Sequence, residues 1–454
     1  MKHTTTTALA ATTAALAAFI CQPSAQAQTA DSLIDKLVEK GVLSVKEGQA
    51  LREESDKDFT RAYSAKSGMP EWVTAMKFNG DLRLRYDTTF GGGTTTFRTS
   101  DRYRYRLRFG FNANLMDDME VGFRLASGDS GADPISTNQS LGGNANKKDI
   151  GIDMAFAKWN AINSADWSLS LTGGKMENPF KFSDAVFDGD YTPEGLAEEI
   201  GFLITPDQKA TLALGQFIIA DNDPGEGYPA LFVAQLRWDA KWTEKWNTAM
   251  AVGGYHFMNR DNLGAASAAT APVATTTVRN IQAGNAEVAV SSTTIPTQQM
   301  MPFIANLSAT YTLESAPYYA GAFPITALSE FIKNGAASEQ NSAWQVGMVF
   351  GKSGKKGTWE ISSRYKDLGA NAVWAEMSDS DFGAIPTTPR AGYGAAANAY
   401  YSGTGVRGFV NKFTYSPYDS LALTVAWFNT ESVLDTAATR SRANRIQLDA
   451  VWKF

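Results

Sequence analysis

Polar and apolar side chains alternate through residues 102–115, whose sequence reads RYRYRLRFGFNANL. Successive side chains of a β-strand point to opposite faces, so this segment predicts a strand with one basic face and one aromatic or aliphatic face. Arg102, Arg104, Arg106 and Arg108 share the basic face. Because unpaired buried charges are too costly for a dry core, we expect this face to meet water, either around a soluble sandwich or inside a water-filled barrel.

The alternation recurs from residue 77 to the C terminus. Arg83 and Arg85 lie on the polar face of 77–87, and Arg124 alternates with apolar residues in the strand that follows 102–115. Thirteen further strands are predicted near 150–159, 167–175, 196–204, 209–218, 231–241, 246–257, 303–313, 322–333, 343–351, 357–367, 405–415, 420–429 and 444–454. The count is therefore about 16, and an added strand at 180–186 would change it.

The predicted connections alternate between short turns and longer loops. Such sorting is typical of an outer-membrane barrel, whereas a soluble sandwich or propeller has no reason for it. Aromatic residues lie beside the short turns, as at the water interface of a membrane: Trp159, Trp167, Trp238, Trp242, Trp246, Tyr415 and Tyr418. We predict an all-β, transmembrane, antiparallel β-barrel over residues 71–454. Its lipid-facing surface contacts the outer membrane.

Helical periodicity is confined to the N-terminal part of the chain. Leu33, Ile34, Leu37 and Val38 form an apolar stripe, and residues 44–47 fit a capping box that opens a second helix. We assign residues 28–70 to a short α-helical periplasmic extension and linker. Such helices are too short to bury a core alone, so self-association, cell-wall binding and a loosely ordered spacer are all open.

Residues 1–27 have the features of a secretory signal peptide. A positive start precedes a small-residue apolar stretch, and residues 25–27 read A-Q-A, a typical cleavage site. Cys21 is the single cysteine, and Ile20 stands where a lipoprotein signal needs a small residue, so that alternative is disfavoured. No later segment has the roughly 18 consecutive apolar residues of a transmembrane helix. We expect export to the cell outer membrane.

Composition and motifs argue against several other functions. The net charge of −6 gives no global footprint for nucleic acid, and the scarcity of cysteine and histidine argues against thiolate or histidine-rich metal sites. Residues 403–408 fit G-x-G-x-x-G, but a loop precedes and a strand follows, contrary to the dinucleotide fingerprint. A barrel enzyme would need His256 in its active site, and an isolated histidine is usually structural. We predict no catalytic residue and no cofactor.

The last strand ends in VWKF, with Trp452 and Phe454 on its apolar face. A terminal phenylalanine on such a strand resembles the signal that outer-membrane barrels present to the barrel assembly machinery. We expect Trp452 and Phe454 to serve as that signal.

Several segments resemble the bacterial "putative porin" family of outer-membrane proteins with an N-terminal helical segment. They are GVLSVKEGQALREE at 41–54, GFRLASGD at 122–129, STNQSL at 136–141, GKMENPF at 174–180, FDGDYTPEGLA at 187–197, SDSDFG at 378–383 and the terminal VWKF. The resemblance implies a passive channel for ions or small hydrophilic solutes. Likeness to porins in general implies a homotrimer.

The seven arginines of the first three strands would form one basic patch on the pore wall: Arg83, Arg85, Arg102, Arg104, Arg106, Arg108 and Arg124. In general porins the third long loop folds into the barrel, and here that loop carries Glu177, Asp184, Asp188, Asp190 and Glu194. By this analogy an acidic constriction loop faces a basic wall and creates a transverse field. The alternative is that the arginines pair with neighbouring carboxylates such as Asp81 and Asp87.

Two other functions are compatible with the sequence. A structural outer-membrane protein could link the barrel to the cell wall through residues 31–55, and a barrel enzyme is the less favoured alternative. The sequence does not name the solute.

Overall fold

The computed structural model describes residues 70–91, 98–128, 135–220, 227–267, 285, 287–290, 293–384, 401–434 and 441–454. Residues 75–454 form one compact unit, and of residues 1–74 only 70–74 are described. The predicted signal peptide at 1–27 and the helical extension up to residue 69 therefore lie outside the described residues.

Within the described residues, sixteen antiparallel strands form a closed barrel, which confirms the predicted architecture and strand count. The strands are β1 (Val73–Gly91), β2 (Arg98–Leu115), β3 (Met119–Ser127), β4 (Ile150–Asn163), β5 (Trp167–Lys175), β6 (Glu194–Thr205), β7 (Gln208–Ile218), β8 (Ala230–Lys241), β9 (Trp246–Met258), β10 (Pro302–Leu313), β11 (Phe323–Asn334), β12 (Ser342–Gly351), β13 (Thr358–Leu368), β14 (Val406–Tyr418), β15 (Leu421–Ser432) and β16 (Arg442–Lys453).

Shorter elements lie in the loops of the barrel. They are the strand Gln139–Ser140, the strand pair Glu287–Val290 and Thr293–Pro296, the strand pair Gly383–Ala384 and Tyr401–Ser402, and the 3₁₀ helices Arg260–Ser267 and Ala375–Met377. None of the described helices has the length and apolar character needed to cross a membrane.

Each strand pairs with its neighbours in chain order, and β1 pairs with β16 to close the ring. This seam runs from Asp81 opposite Lys453 to Gly91 opposite Ala443. At its end, the Gly80 amide donates to the Phe454 carbonyl at 2.9 Å, and the Phe454 amide donates to the Gly80 carbonyl at 3.1 Å. Closure leaves no long edge strand with unpaired backbone groups.

The two faces of the sheet differ as the alternation predicts. The outward face exposes large apolar side chains, with Tyr103 62% exposed and Phe109 46% exposed, whereas Arg106 between them is 8% exposed. Exposed aromatic side chains also lie beside the short turns, among them Trp159, Trp167, Trp242, Trp246 and Tyr418. An outward apolar surface of this kind suits contact with lipid.

The connections are less strictly sorted by length than the sequence suggested. Asp117 and Asp118 have φ angles of 61° and 57°, which is the conformation of a tight two-residue hairpin turn between β2 and β3. By contrast, the β1–β2 connection at 92–97 is no longer than the turn at 314–322, because β1 and β2 extend to 19 and 18 residues and absorb much of the expected loop. Residues 180–186 form no strand, so they do not alter the count.

Candidate functional site

The basic face of β2 lies against carboxylates of its neighbour β1. Asp81 accepts hydrogen bonds from Arg106 Nε at 2.9 Å and from Arg108 Nε at 2.7 Å. Asp87 accepts a hydrogen bond from Arg102 at 2.7 Å. The pairing with Asp81 and Asp87 that the sequence left open is therefore present in the structure.

Acidic residues of other strands engage two more of the predicted arginines. Arg85 grips Asp449 of β16 with two hydrogen bonds of 2.7 and 2.8 Å, the forked geometry in which guanidinium and carboxylate bind most strongly. Arg124 of β3 donates to Asp153 of β4 at 2.5 Å. Five of the seven predicted arginines thus have a carboxylate partner, and Arg83 and Arg104 have none among the described residues.

Residues 176–193, called loop 3 below, connect β5 to β6 and contact widely separated strands. The Lys181 amide donates to Gln235 of β8 at 2.8 Å, and the Ser183 amide donates to Glu330 of β11 at 3.1 Å. At its other end, Asp190 lies 3.3 Å from Arg106 of β2. Because these strands lie on different sides of a closed ring, loop 3 crosses the interior of the barrel.

Two glycines paired at the foot of loop 3 explain how the chain bends there. Gly174 and Gly195 face each other across β5 and β6, with φ angles of +117° and +151°. A Cβ atom would lie 2.3 Å from the Ala155 carbonyl oxygen at Gly174 and 2.1 Å from the Gln216 carbonyl oxygen at Gly195. Only glycine combines this backbone conformation with such a close approach.

The five acidic residues predicted for loop 3 do not act as one group. Asp190 contacts the basic wall, through Arg106 at 3.3 Å and Arg108 at 3.5 Å. Asp184 instead lies 2.7 Å from Lys366 of β13. Asp188 accepts from the Asp190 amide at 2.7 Å, Glu194 pairs with Lys175 at 2.8 Å at the start of β6, and Glu177 is exposed.

A second inward segment, residues 369–384 and called loop 7 below, was not predicted. Its Asp381 lies 3.1 Å from Arg85 and 2.9 Å from Arg445 of β16. Two backbone hydrogen bonds join it to loop 3, from the Asp188 amide to Met377 at 2.6 Å and from the Asp379 amide to Asp184 at 2.9 Å. The two loops therefore form one unit inside the barrel.

Apolar packing supports that unit. Val186 and Phe187 of loop 3 and Trp374 and Met377 of loop 7 are at most 5% exposed and belong to one cluster. Trp374 stacks on Phe257 of β9 with ring centroids 4.7 Å apart. A loop with such buried apolar side chains is unusual, and the residues V-W and M at 373–377 were the signal by which the sequence could have revealed it.

Charge is unevenly distributed among the loop carboxyls. Burial alone would raise the pKa of Asp381, but Arg445 and Arg85 hold it well below its usual range. Burial likewise opposes ionisation of Asp190, but Arg106 and Arg83 lower its pKa. Burial and the neighbouring Asp379 raise the pKa of Asp188. Negative charge is therefore concentrated where a loop meets a basic wall residue.

No arrangement of acidic, histidine or cysteine side chains suited to a metal ion occurs in the described parts of the chain. The residues brought together inside the barrel are charged side chains with few acid–base partners free to move protons. Their arrangement suits electrostatic filtering of a passing solute.

Comparison with known proteins identifies a family. Residues 94–316 match the family described as "putative porin", which confirms the resemblance seen in the sequence. The match supports a porin channel of the outer membrane rather than an enzyme. No curated protein matches the chain.

Solved structures similar to this chain include three outer-membrane proteins. OprB of Pseudomonas putida at high pH is 13% identical, with 88% of this chain and 97% of that chain covered and a TM-score of 0.49. OmpF of Salmonella typhi in complex with daunomycin is 10% identical, with 84% and 97% covered and a TM-score of 0.45. The outer membrane channel DcaP of Acinetobacter baumannii is 12% identical, with 84% and 97% covered and a TM-score of 0.40.

Proposed function

We propose that this protein is an outer-membrane porin through which ions and small hydrophilic solutes diffuse passively. The observation that carries the proposal is a closed sixteen-stranded barrel with an apolar exterior and a charged interior crossed by a loop. Such a barrel provides a polar path across a lipid layer without exposing backbone groups to hydrocarbon. The family match supports the same function.

The constriction is formed jointly by loop 3 and loop 7. Asp190 lies against Arg106 and Arg108, and Asp381 lies against Arg85, so both loops present carboxylates to the basic wall. Opposed charges across a narrow passage orient water and act on the charge and dipole of a solute. Passage is therefore expected to depend on the charge of a solute as well as its size.

The surrounding partners follow from the two surfaces of the barrel. The outward apolar face contacts outer-membrane lipid, and the assembly we expect is a homotrimer. Trp452 and Phe454 would present the final strand to the barrel assembly machinery. Mass measurement of the detergent-purified protein tests the trimer, and a monomeric mass would exclude it.

Planar bilayer recording tests the channel function directly. Purified, folded protein should produce stepwise conductance in potassium chloride, and the barrel should make liposomes permeable to small sugars. The matched control is the same preparation after heat unfolding. A folded barrel that inserts but gives no conductance above the bare bilayer would refute the proposal.

A further inference from the structure

We propose that Arg83 and Arg104 form a binding site for the oxyanion group of a small anionic solute. The inference rests on the proposed channel and names the class of solute that its wall selects. Five arginines of the wall are already neutralised by carboxylates of the protein. Arg83 and Arg104 are the two that no described carboxylate pairs.

The pairing of the neighbouring residues places these two arginines beside each other. On β1 the inward positions are Asp81, Arg83, Arg85 and Asp87, in that order. Asp81 binds Arg106 and Arg108 of β2, and Asp87 binds Arg102. The remaining inward residue of β2, Arg104, therefore lies opposite the middle of this row. Diagonal neighbours on adjacent strands are about 7–8 Å apart, a span that one small oxyanion can bridge.

Both side chains retain unused hydrogen-bonding capacity. The Nε atoms of Arg83 and Arg104 are buried and have no hydrogen-bond partner. Arg83 donates from its terminal nitrogen to Asn138 at 2.5 Å, which fixes the orientation of its guanidinium group. A guanidinium group has five donors in a planar fork, so most of this capacity is left for an oxyanion.

The two arginines are also reachable and surrounded by like charge. Each is half-buried, whereas the neutralised Arg85 and Arg106 are each only 8% exposed. Arg83 lies beside Arg85 and Arg106, and Arg104 lies beside Arg102 and Arg445. A carboxylate or phosphate group at this point would relieve repulsion between cations and accept charge-assisted hydrogen bonds.

Calorimetric titration of the full-length, detergent-purified protein with succinate tests the proposal. The double variant Arg83→Gln with Arg104→Gln is expected to raise the Kd for succinate at least about tenfold, since hydrogen bonds to charged groups are individually strong. Butanediol, of similar size but uncharged, should not bind. Titration with inorganic phosphate is the second arm and shows whether phosphate or carboxylate is the preferred oxyanion.

The matched control is Arg237→Gln. Arg237 lies on β8 and is paired with Asp239 at 2.7 Å, so its removal changes net charge without touching the proposed site. It should leave the Kd for succinate within about twofold. Lysine at both positions keeps the charge but loses the fork, and it should give an intermediate affinity; this variant also serves if the glutamine double variant does not fold.

Three results would overturn the proposal: no binding of either anion by the wild-type protein, an unchanged Kd in the double variant, or an equal loss in Arg237→Gln. Because calorimetry needs no ion flow, these results are independent of conductance. Anion binding without conductance would refute the channel function, and conductance without anion binding would refute only this site.

Discussion

Replacing Asp381 with asparagine removes the charge that holds loop 7 against two strands of the barrel. The carboxylate lies 3.1 Å from Arg85 and 2.9 Å from Arg445, whose side chains are 7% and 5% exposed. Removing one partner of a buried ion pair costs about 3–5 kcal/mol. Arg85 keeps Asp449 and Arg445 keeps Asp87, so the lower end, about 3 kcal/mol, applies here.

This loss acts on local opening of the loop, because the strands of the barrel keep their own hydrogen bonds. A change of about 3 kcal/mol multiplies the open fraction by roughly 150. Hydrogen exchange should reveal it at the amides of Ser378 and Asp379, which donate to Ala375 at 3.0 Å and to Asp184 at 2.9 Å. We expect these amides to exchange about two orders of magnitude faster in the variant.

Asp239→Asn provides the control for this measurement. Asp239 pairs with Arg237 on the same strand, so its loss removes one inward carboxylate without touching loop 7. It should leave exchange at residues 378 and 379 unchanged. Equal exchange in wild type and Asp381→Asn would show that the ion pairs do not hold the loop, and the reasoning above would fail.

Three further changes give distinct outcomes. Asp190→Asn frees two arginines of the wall and should raise the chloride-to-potassium permeability ratio at least about threefold, since one charge about 7 Å from an ion in water contributes roughly 0.6 kcal/mol; the reversal potential in a salt gradient measures it. Burial and Asp379 raise the pKa of Asp188, so the docked loop binds a proton that the released loop gives up. Docking of loop 3 should therefore weaken as pH rises from about 4 through the raised pKa, and Asp188→Asn should flatten this dependence in hydrogen exchange. Phe454→Ala keeps the backbone bonds to Gly80 but removes a ring that is 62% exposed, so it should lower the yield of folded barrel in cells while leaving refolding in detergent unchanged.

Each of these predictions has a result that contradicts it. Glu194→Gln removes an exposed carboxylate paired with Lys175, away from the wall, and an equal selectivity change there would refute the role of Asp190. Loop exchange in the wild type that is independent of pH would refute the role of Asp188. Equal losses in cells and in detergent would make Phe454 a stability residue instead of an assembly signal.

The sequence predicted the barrel well because strands carry a local signal. Alternation with a period of two identified each of the sixteen strands, and the aromatic face of 102–115 lies outward as expected. Helical periodicity identified nothing within the described residues. What local alternation supplies is strand position and facing, which suffices for a closed ring.

The interior was less predictable because its contacts join distant parts of the chain. Arg85 and Asp381 are 296 residues apart, and loop 7 has no regular period that would announce an inward course. Asp81 and Asp87 could be proposed as partners of the arginines because they lie on the adjacent strand. Asp449 and Asp381 could not, since their proximity to Arg85 depends on ring closure.

The position of Asp381 also imposes an order on assembly. Its two arginines lie on β1 and β16, the first and last strands, which meet only when the ring is complete. Arg85 and Asp449 across the same seam are 364 residues apart, so no partly formed sheet brings them together. The carboxylate can engage both arginines only after the final strand is in register. Loop 7 thus acts as a latch that fastens last, and an incomplete barrel would keep an unfilled interior until its two ends have met.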